Sequence, residues 1–569
     1  MPARRMHHSV GVGLEAEVWA PRAERVNLLT RQKTIEMEPL EDGWHRAPVV
    51  LPPNVDYGFA LDGGDPLPDP RSHWQPLGVF APSRIVDHEA FRWTDRRWAG
   101  VHLPSSVIYE LHVGTFSAAG TFDGVIDHLD HLILLGVEVI ELMPLAAFDG
   151  ARGWGYDGVA PYAVHEPYGG PEGLKRLVNA AHARGLGVLL DVVYNHFGPT
   201  GNHLNKFGPY TTDRHQTPWG DAINLDGPDS EHVRRFFLDN ALHWMTTYHL
   251  DGLRLDAVHA LVDESDRHFL AELKQETDAL AAHRGQPLWL VAEYPSTEPL
   301  AVTAQEAGGH GLDAAWRDEV HHAMHAWITG ERDGYYAKFG HVSTLAEALI
   351  GPKKNISRSH FVVCTQNHDQ VGNRARGERL CQLVDIGLAK AAAALIICSP
   401  FVPLLFMGEE WAASTPFPYF AGPRNNELDA KVRQGRIEEF SSFGWDPEDV
   451  PDPIAESTFN TARLRWEEIY EGDHREMQTW YRSLIALRRT RPELSDPRPS
   501  STVVDEHDSE HAVVVWRGDT AIAVNIDDSP IHLSLGSQGD RRVLLASDPQ
   551  VQLTDDGVVL RSHSVAIIA

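Results

Sequence analysis

Two charged residues stand inside an otherwise apolar run in the segment DGLRLDAVHA, which begins at Asp251. If this run is a strand, Arg254 and Asp256 share one face, because strand side chains alternate between faces. Unpaired charges are costly to bury, so we expect this face to point into the mouth of a site. An adjacent arginine favours the ionised form of a carboxylate, and an ionised aspartate can act as a nucleophile.

A second carboxylate, Glu293, ends the apolar segment LWLVAE. Desolvation there would raise its pKa and keep it protonated longer, as a general acid requires. Two carboxyl groups with these opposed needs are the apparatus of glycoside cleavage, and a retaining enzyme holds them about 5–5.5 Å apart. Further polar residues end other apolar segments: Glu110, His112, Asp191, Asn195, His196, Gln366, Asn367, His368 and Asp369. A lone aspartate would more simply be an ion pair or strand cap, but carboxylates on three strand ends weaken that reading.

Eight short apolar segments alternate with longer amphipathic ones from about residue 100 onward. The candidate strands are SSVIYELHV, VEVIELMPL, GVLLDVVYNH, DGLRLDAV, LWLVAEY, GLDAAW, HFVVCTQNHD and FVPLLFMGEE. Helical patterns such as GGPEGLKRLVNAAHARG and SEHVRRFFLDNALHWMTTYH lie between most of them. Eight such repeats predict an α/β fold, a (β/α)8 TIM barrel, whose active site forms where the strands end.

All-β segments flank the predicted barrel. Residues 1–95 alternate short strand-like runs with turn residues and predict an N-terminal β-sandwich. Residues 96–494 form the predicted catalytic barrel, with a long loop rich in Gly, Pro, Asn and Asp at 194–229, after the third strand. Residues 495–569 are β-rich again and predict a C-terminal β-sandwich.

The overall composition limits the classes of partner that we expect and the cellular compartment. The formal net charge of −30 repels phosphates, so we expect neither nucleic acid nor an anionic membrane as a partner. The three cysteines lack metal-type spacing and fit a reducing compartment. No uncharged apolar run reaches the ~18 residues of a membrane helix, and no apolar core of a secretory signal follows the first residues. We therefore predict a cytoplasmic location.

Four short segments resemble the signature regions of the α-amylase superfamily of glycoside hydrolases and transglycosylases. They are DVVYNH, GLRLDAVH, VAEY and QNHDQ, in the family's order and on the matching strands. The resemblance implies a nucleophile at Asp256, a general acid/base at Glu293 and a third carboxylate, Asp369, that binds sugar hydroxyls. It implies further substrate-site roles for Tyr156, Asp157, His196, Arg254, Gln366, Asn367 and His368. It implies no cofactor and no required metal.

Other segments separate two branches of the superfamily, the glycogen branching enzymes and the trehalohydrolases. His259, after the nucleophile segment, and QNHDQVGNRARGERL both resemble the trehalohydrolases. The resemblance implies hydrolysis of the α-1,4 bond next to the terminal trehalose of malto-oligosyltrehalose, after a malto-oligosyltrehalose synthase has supplied that chain. The products would be trehalose and a malto-oligosaccharide. The alternatives are a branching enzyme or related α-1,4-glucanotransferase, and a non-catalytic glucan-binding protein, which would have no need of all three carboxylates.

Recognition of the trehalose unit requires residues beyond the signature regions. We hypothesise that His259, Trp316, Asp318 and His321 contribute to it. One segment departs from the family pattern, since Ala421, Gly422 and Pro423 follow TPFPYF where the family usually has Thr-Asp-His.

Overall fold

A closed barrel of eight parallel strands forms the centre of the computed structural model. The structure describes residues 13–294, 299–422, 426–441, 450–506, 511–536 and 541–569, so Pro423 of the departing segment lies outside the described residues. The barrel strands, numbered 1 to 8 in chain order, are Ile108–Leu111, Val139–Leu142, Gly187–Val192, Gly252–Leu255, Trp289–Ala292, Ala314–Trp316, Phe361–Cys364 and Val402–Phe406. Each lies within one of the eight predicted segments, which confirms the predicted (β/α)8 fold.

Helices alternate with the barrel strands and cover their outer faces. The α-helices are Val113–Phe116, Phe122–Ile126, Leu129–Leu135, Gly170–Ala183, Leu204–Phe207, Ser230–Thr247, Phe269–Arg284, Asp318–Thr329, Val342–Ile350, His368–Gly372, Leu380–Leu383, Ile386–Ile397, Asn426–Ser441, Glu456–Thr461 and Gly472–Thr490. All six residues of strand 3 are buried, because helices cover one face and the barrel interior the other. This double burial explains why the strands read as near-continuous apolar runs.

Two antiparallel sheets precede the barrel, as the sequence predicted. One holds Leu14–Trp19, Glu38–Pro39 and Trp44–Leu51, and the other holds Val26–Thr30, Thr34–Glu36, Asp56–Leu61 and Ser83–Arg84. The first sheet packs on the helix after strand 3, where the Trp19 ring stacks on His232 at 4.9 Å. In the segment between these strands, buried Arg71 pairs with Asp239 of the same helix (Nη1–Oδ2 3.0 Å). The domain limit at residue 95 stays a prediction.

Two further antiparallel sheets follow the last helix. The larger holds Thr502–Glu506, Ala512–Arg517, Thr520–Asn525, Val543–Ala546 and Ser564–Ile568, and the smaller holds Ile531–Ser534, Gln552–Leu553 and Gly557–Leu560. Val513 and Val515 of the larger sheet join the main core, whereas Ala512 and Val514 pack with the smaller sheet. Because alternate residues point to opposite faces, the larger sheet is buried on both sides. The domain limit at residue 494 stays a prediction.

The loop after strand 3 contains more regular structure than the sequence suggested. Its strands Thr211–Thr217 and Gly220–Ile223 form a hairpin whose polar, mostly solvent-facing residues hide the strand pattern. The Asn224 side-chain amide closes the base of the hairpin by donating to the backbone carbonyls of Pro209 (3.0 Å) and Pro228 (2.8 Å). Across the described part of the chain, no helix combines the length and apolar character needed to cross a membrane.

Candidate active site

One buried arginine joins the carboxylates at the ends of barrel strands 3, 4 and 5. Arg254 Nη1 lies 2.7 Å from Asp191 Oδ2 and 2.9 Å from Asp256 Oδ1. Arg254 Nη2 lies 2.8 Å from Glu293 Oε2. Burial alone would lower the pKa of Arg254, but the surrounding carboxylates raise it well above its ordinary value. A single planar guanidinium therefore sets the relative positions of all three groups.

Asp256 directly follows strand 4, and both of its oxygens accept hydrogen bonds. Oδ1 accepts from Arg254, and Oδ2 accepts from the side-chain amide of Asn195 at 2.7 Å. Burial raises the pKa of this carboxyl above its ordinary value, whereas Arg254 and the Asn195 hydrogen bond lower it. Because donors face both oxygens, the contacts favour the ionised form that a nucleophile needs.

Glu293 directly follows strand 5, and its hydrogen bonds within the described residues fall on one oxygen. Oε2 accepts from the backbone N–H of Ala257 at 2.8 Å as well as from Arg254. Burial raises the pKa of Glu293; Arg254 opposes this shift and the Asp256 charge adds to it. Oε1 is thus the oxygen placed to carry a proton. Burial raises the pKa of both carboxyls, so they differ by hydrogen bonding and not, as the sequence suggested, by opposed shifts.

Asp369 lies in the short helix that follows strand 7. Asn367 caps this helix, since its Oδ1 accepts from the backbone N–H groups of Asp369 (2.9 Å) and Gln370 (3.0 Å). The Asn373 side chain donates to Asp369 Oδ1 at 2.8 Å. Burial raises the pKa of Asp369, and the adjacent His368 lowers it. The third predicted carboxylate is therefore held beside the other two by the cap of its own helix.

Hydrogen bonds connect Tyr156 and His368 to the arginine cluster. The Tyr156 hydroxyl donates to Asp191 Oδ2 at 2.6 Å and lies 2.8 Å from His368 Nε2. The two rings stack at 5.3 Å with an angle of 24°. His368 Nδ1 faces the carboxylate of Glu110 on strand 1. Protein groups therefore contact both ring nitrogens of His368.

His196 lies on the other side of Tyr156, at the base of the hairpin loop. Its Nε2 is 3.1 Å from the Tyr156 carbonyl, and its ring stacks on Trp219 at 4.9 Å and 4°. Burial lowers the pKa of His196, and the charge of Asp157 raises it. Trp219 sits in the turn of the hairpin and is 48% exposed. The structure thus brings Tyr156, Asp157 and His196 together, with an exposed aromatic ring beside them.

Several predicted substrate contacts face the protein instead of open space. Trp316 is 6% exposed and lies inside the barrel, with the Arg254 guanidinium 4.2 Å from its ring centre. His321 is buried, with Nδ1 2.7 Å from the Thr365 carbonyl and Nε2 3.2 Å from the Tyr336 hydroxyl. The other residues placed in this way are Arg254, Gln366 and Asn367. All five side chains are buried in the protein, and direct sugar contact by them stays a prediction.

Asp318 and His259 are two predicted contacts that reach open space. His259 is exposed in the turn that follows Asp256. Asp318 lines a cavity of about 260 Å³ that also borders Asp369. Burial and the nearby Glu293 and Asp369 raise the pKa of Asp318 to about 7. The remaining residues of this cavity are His322, Glu331, Asp333, Tyr335, Tyr336, Gln370, Asn373 and Arg374. A second cavity of about 270 Å³ lies between the N-terminal sheets and the barrel, away from the carboxylates.

One group among the described residues has the composition of a metal site. Ligand atoms of His215, Asp226 and Glu264 lie within 4.8 Å of one another, beside the hairpin. The Arg214 guanidinium is 3.4 Å from Asp226 Oδ1 and already supplies positive charge there. Burial alone would raise the pKa of Asp226, but its hydrogen bonds and nearby cations lower it.

Two residues that hold the site were noted in the sequence but given no role. Asn195 is fully buried and bonds both the side chain and the backbone carbonyl of Asp256. Glu110 is 1% exposed and accepts from the backbone N–H of His368 at 2.9 Å. In both cases the signal in the sequence is a polar residue within or just after a buried strand. Such a residue must have a hydrogen-bond partner, but the sequence does not show which residue the partner is.

Comparison with known proteins agrees with this arrangement. A family model described as the α-amylase catalytic domain matches residues 89–216. A malto-oligosyltrehalose trehalohydrolase from Rhizobium sp. (strain M-11) is 44% identical over 97% of this chain and 97% of its own, and one from Arthrobacter ramosus is 46% identical over 90% and 93%. The solved structure of an α-amylase candidate from Salmonella typhimurium superposes with a TM-score of 0.88 at 36% identity, covering 99% of both chains. The chain therefore belongs to the malto-oligosyltrehalose trehalohydrolase family and carries an α-amylase catalytic domain.

Proposed function

We propose that this protein is a retaining glycoside hydrolase that cuts the α-1,4 bond next to the terminal trehalose of malto-oligosyltrehalose. One observation carries the chemistry: a single guanidinium holds Asp256 and Glu293, while Asp369 follows strand 7 of the same barrel. The substrate comes from the names of the full-length relatives. The products are trehalose and a malto-oligosaccharide.

The reaction proceeds in two displacements, with the carboxylates exchanging roles. Asp256 attacks the anomeric carbon, and the bond to the leaving oxygen breaks as Glu293 gives that oxygen its proton. Trehalose departs and a covalent glycosyl-enzyme is left. Glu293, now ionised, takes a proton from water as the water oxygen bonds to the anomeric carbon and Asp256 is released. Two inversions retain the α configuration, and Asp369 binds hydroxyls of the reacting sugar.

The cavity beside Asp318 and Asp369 is the proposed place for the trehalose unit. Its lining residue Asp318 is close enough to Glu293 for the Glu293 charge to raise the pKa of Asp318, so we expect the cavity to lie on the side that receives the leaving group. Tyr335 borders it with a side chain that is 56% exposed and offers an aromatic face to a sugar ring. We expect Tyr335→Ala to raise KM for trehalose-capped chains more than for plain chains, which steady-state kinetics on both substrates would show.

The products of two parallel incubations test the proposal. Wild-type protein is incubated with maltotriosyl-trehalose and, separately, with amylose, and products are separated by anion-exchange chromatography. Free trehalose from the first substrate and little change in the second support the proposal. New α-1,6 branch points in amylose without trehalose release would instead identify a branching enzyme. Asp256→Asn, which keeps the size of the side chain, is the inactive control.

We further propose that the protein acts after a malto-oligosyltrehalose synthase and works in the cytoplasm. The first part follows from the substrate, because a chain capped with trehalose must be made before it is cut. The second part is supported by Cys364, Cys381 and Cys398, which are all unpaired thiols in the structure. Cell fractionation with an antibody against the native protein would test the compartment.

A further inference from the structure

Glu110, on strand 1, clamps His368 at two points. One carboxylate oxygen, Oε2, accepts the backbone N–H of His368 at 2.9 Å, and the other, Oε1, faces ring atom Nδ1. Both side chains are almost completely buried, at 1% and 3% exposure. Glu110 is not one of the three proposed catalytic carboxylates, yet both of its carboxylate oxygens contact one residue of the site. A buried carboxylate in such a contact is an obligate acceptor, so Nδ1 carries a hydrogen.

The directions of the hydrogen bonds around the Tyr156 hydroxyl determine whether the second ring nitrogen of His368 carries a hydrogen. Asp191 Oδ2 already accepts from Arg254 Nη1 at 2.7 Å, so it is an acceptor toward Tyr156 too. The Tyr156 hydroxyl has a single hydrogen, and this hydrogen goes to Asp191. Its oxygen must then accept from His368 Nε2, 2.8 Å away. Nε2 therefore carries a hydrogen as well, and the contacts are complete only with an imidazolium.

We propose that Glu110 is a positioning residue that keeps His368 as an imidazolium, so that the Tyr156 hydroxyl is directed at Asp191 and Asp191 at Arg254. The proposal rests on the function proposed above, because its catalytic consequence runs through Arg254 to Asp256 and Glu293. Glu110 itself does not touch the sugar. It acts through a relay of four hydrogen-bonded groups that ends at the guanidinium holding both catalytic carboxyls.

Both negatively and positively charged groups lie close to His368. The carboxyl groups close enough to act on it are Glu110, Glu141, Asp191, Glu293 and Asp369, and the cation is Arg254. Buried His112, whose pKa burial lowers to about 4, is a neutral neighbour near pH 7. Burial alone would lower the pKa of His368, but Glu110, by charge and hydrogen bond, raises it to about 9. The imidazolium is thus retained across the neutral range.

Loss of the Glu110 charge would weaken the relay. A glutamine at position 110 has one acceptor oxygen, so it cannot accept from both the backbone N–H and Nδ1 of His368. With its oxygen on the backbone N–H, its amide group donates to a bare Nδ1, and His368 is neutral with its one hydrogen on Nε2. The Tyr156 hydroxyl then accepts from a neutral donor, which forms a weaker hydrogen bond than a charged one. Arg254 would be less firmly oriented, and the spacing of the carboxyls it holds would relax.

Glu141 provides a matched control for this substitution. It lies directly beside Glu110 in the register of strands 1 and 2 and is equally buried. Neither of its carboxyl oxygens has a hydrogen-bond partner in the described structure, and burial raises its pKa well above the ordinary value. Glu141→Gln therefore replaces a carboxyl group, whose charged form burial disfavours, with an amide of the same shape. Any general effect of an amide in the barrel interior should be the same in both variants.

The protonation of His368 can be read without substrate. Full-length protein labelled with 15N-histidine is compared as wild type, Glu110→Gln, Glu141→Gln and His368→Gln, the last to assign the His368 signals. At pH 7.5 we expect both His368 nitrogens to be protonated in wild type and Glu141→Gln, and one in Glu110→Gln. A singly protonated His368 in the wild type would overturn the proposal, and so would an imidazolium that persists in Glu110→Gln. This readout stands even if the proposed substrate is wrong.

Kinetics on maltotriosyl-trehalose then test the consequence for catalysis. We expect Glu110→Gln to lower kcat with little change in KM, and we expect the difference in kcat to shrink as pH rises through about 9, where His368 of the wild type loses its charge as well. Glu141→Gln should keep wild-type kcat and the wild-type pH profile. Equal, pH-independent losses in the two variants would reduce Glu110 to a packing role and overturn the proposal.

Discussion

At the level of single residues, the charges in and just after strand 4 are balanced by neighbouring charges of opposite sign. Arg254 is 1% exposed, so it does not open toward substrate as its strand position suggested. It is surrounded by Asp191, Asp256 and Glu293 and packed on the face of Trp316. A buried charge network of this kind costs desolvation free energy and is weak evidence for stability, but it fixes geometry. Its value is the fixed placement of two carboxyls around one reacting carbon.

Glu293→Gln should lose general acid catalysis while keeping the fold. Amide and carboxyl have the same shape, and Gln can still accept from the Ala257 N–H, so we expect an unchanged melting temperature. We expect kcat/KM on a trehalose-capped chain to fall by roughly 10²–10⁴-fold, the usual contribution of a general acid. Initial rates measured by trehalose release, with circular dichroism as the folding control, check this. A loss below threefold would remove Glu293 from that role.

The pH profile of the wild type should report the raised pKa of Glu293. The acid must be protonated in the free enzyme, and burial raises its pKa, so activity extends above the range of an ordinary glutamate and is lost as pH rises through the shifted value. The alkaline limb of kcat/KM is the measurement, and in Glu293→Gln the remaining activity should lack that limb. An unchanged limb in the variant would assign it to another group.

At the scale of elements, strand ends and helix caps bring the three carboxylates together. Asp256 and Glu293 directly follow their strands, whereas Asp369 depends on the cap that Asn367 provides for a five-residue helix. Such a short helix has little stability of its own, because nucleation is unfavourable. The capping residue is therefore as much a part of the site as the carboxylate it orients.

Asn367→Ala should uncouple Asp369 from the site at a small cost in stability. Loss of a cap costs about 1 kcal/mol, so the melting temperature should fall by a few degrees at most, as calorimetry would show. We expect kcat to fall more than KM rises, because Asp369 is displaced while the rest of the cleft is intact. Asn367→Ser, which keeps a capping oxygen, should retain most of the activity. Equal kcat values in the two variants would contradict this role for the cap.

The barrel, its eight strands and the three carboxylates could be predicted because their signals are local. A doubly buried strand is a short apolar run, and a polar residue that ends it is visible without knowing its neighbours. The direction of Trp316 and His321 could not be predicted in this way. Trp316 lies inside the barrel with its ring against the Arg254 guanidinium, and His321 contacts Thr365 and Tyr336. Both orientations depend on residues far away in the chain.

At the scale of the whole molecule, a second charge network ties the barrel bottom to the segment that enters it. His182 lies between two carboxylates, with Nδ1 3.0 Å from Asp95 and Nε2 3.0 Å from Asp251. Asp251 also accepts from the Val188 N–H and the Trp98 indole N–H. These contacts join the segment before strand 1 to strands 3 and 4, at the end of the barrel opposite the site.

The stability supplied by this network should depend on pH. Burial alone would lower the pKa of His182, but Asp251 and Asp95 raise it, and the pKa of Asp95 is depressed by its histidine partners against the effect of burial. A histidine with a raised pKa contributes stability that is fully present below about pH 6.5 and is lost as pH rises through the pKa of the folded state. An aspartate with a depressed pKa contributes stability that is present above about pH 4. We therefore expect the melting-temperature deficit of His182→Gln to be largest near pH 5–6 and to shrink toward pH 9. A deficit that grows with pH would contradict the charged state of His182.

In the proposed mechanism, Asp256 forms a covalent bond to the sugar while Glu293 moves the proton. Glu293→Gln incubated with α-maltosyl fluoride tests both parts, because fluoride leaves without an acid and water then lacks a base. We expect the glycosyl-enzyme to accumulate, and mass spectrometry of a rapid acid quench and digest to find one added maltosyl group on the peptide that contains Asp256. Asp256→Asn should give no adduct. A maltosyl group on another residue, or turnover to maltose of inverted configuration with no adduct, would contradict the account.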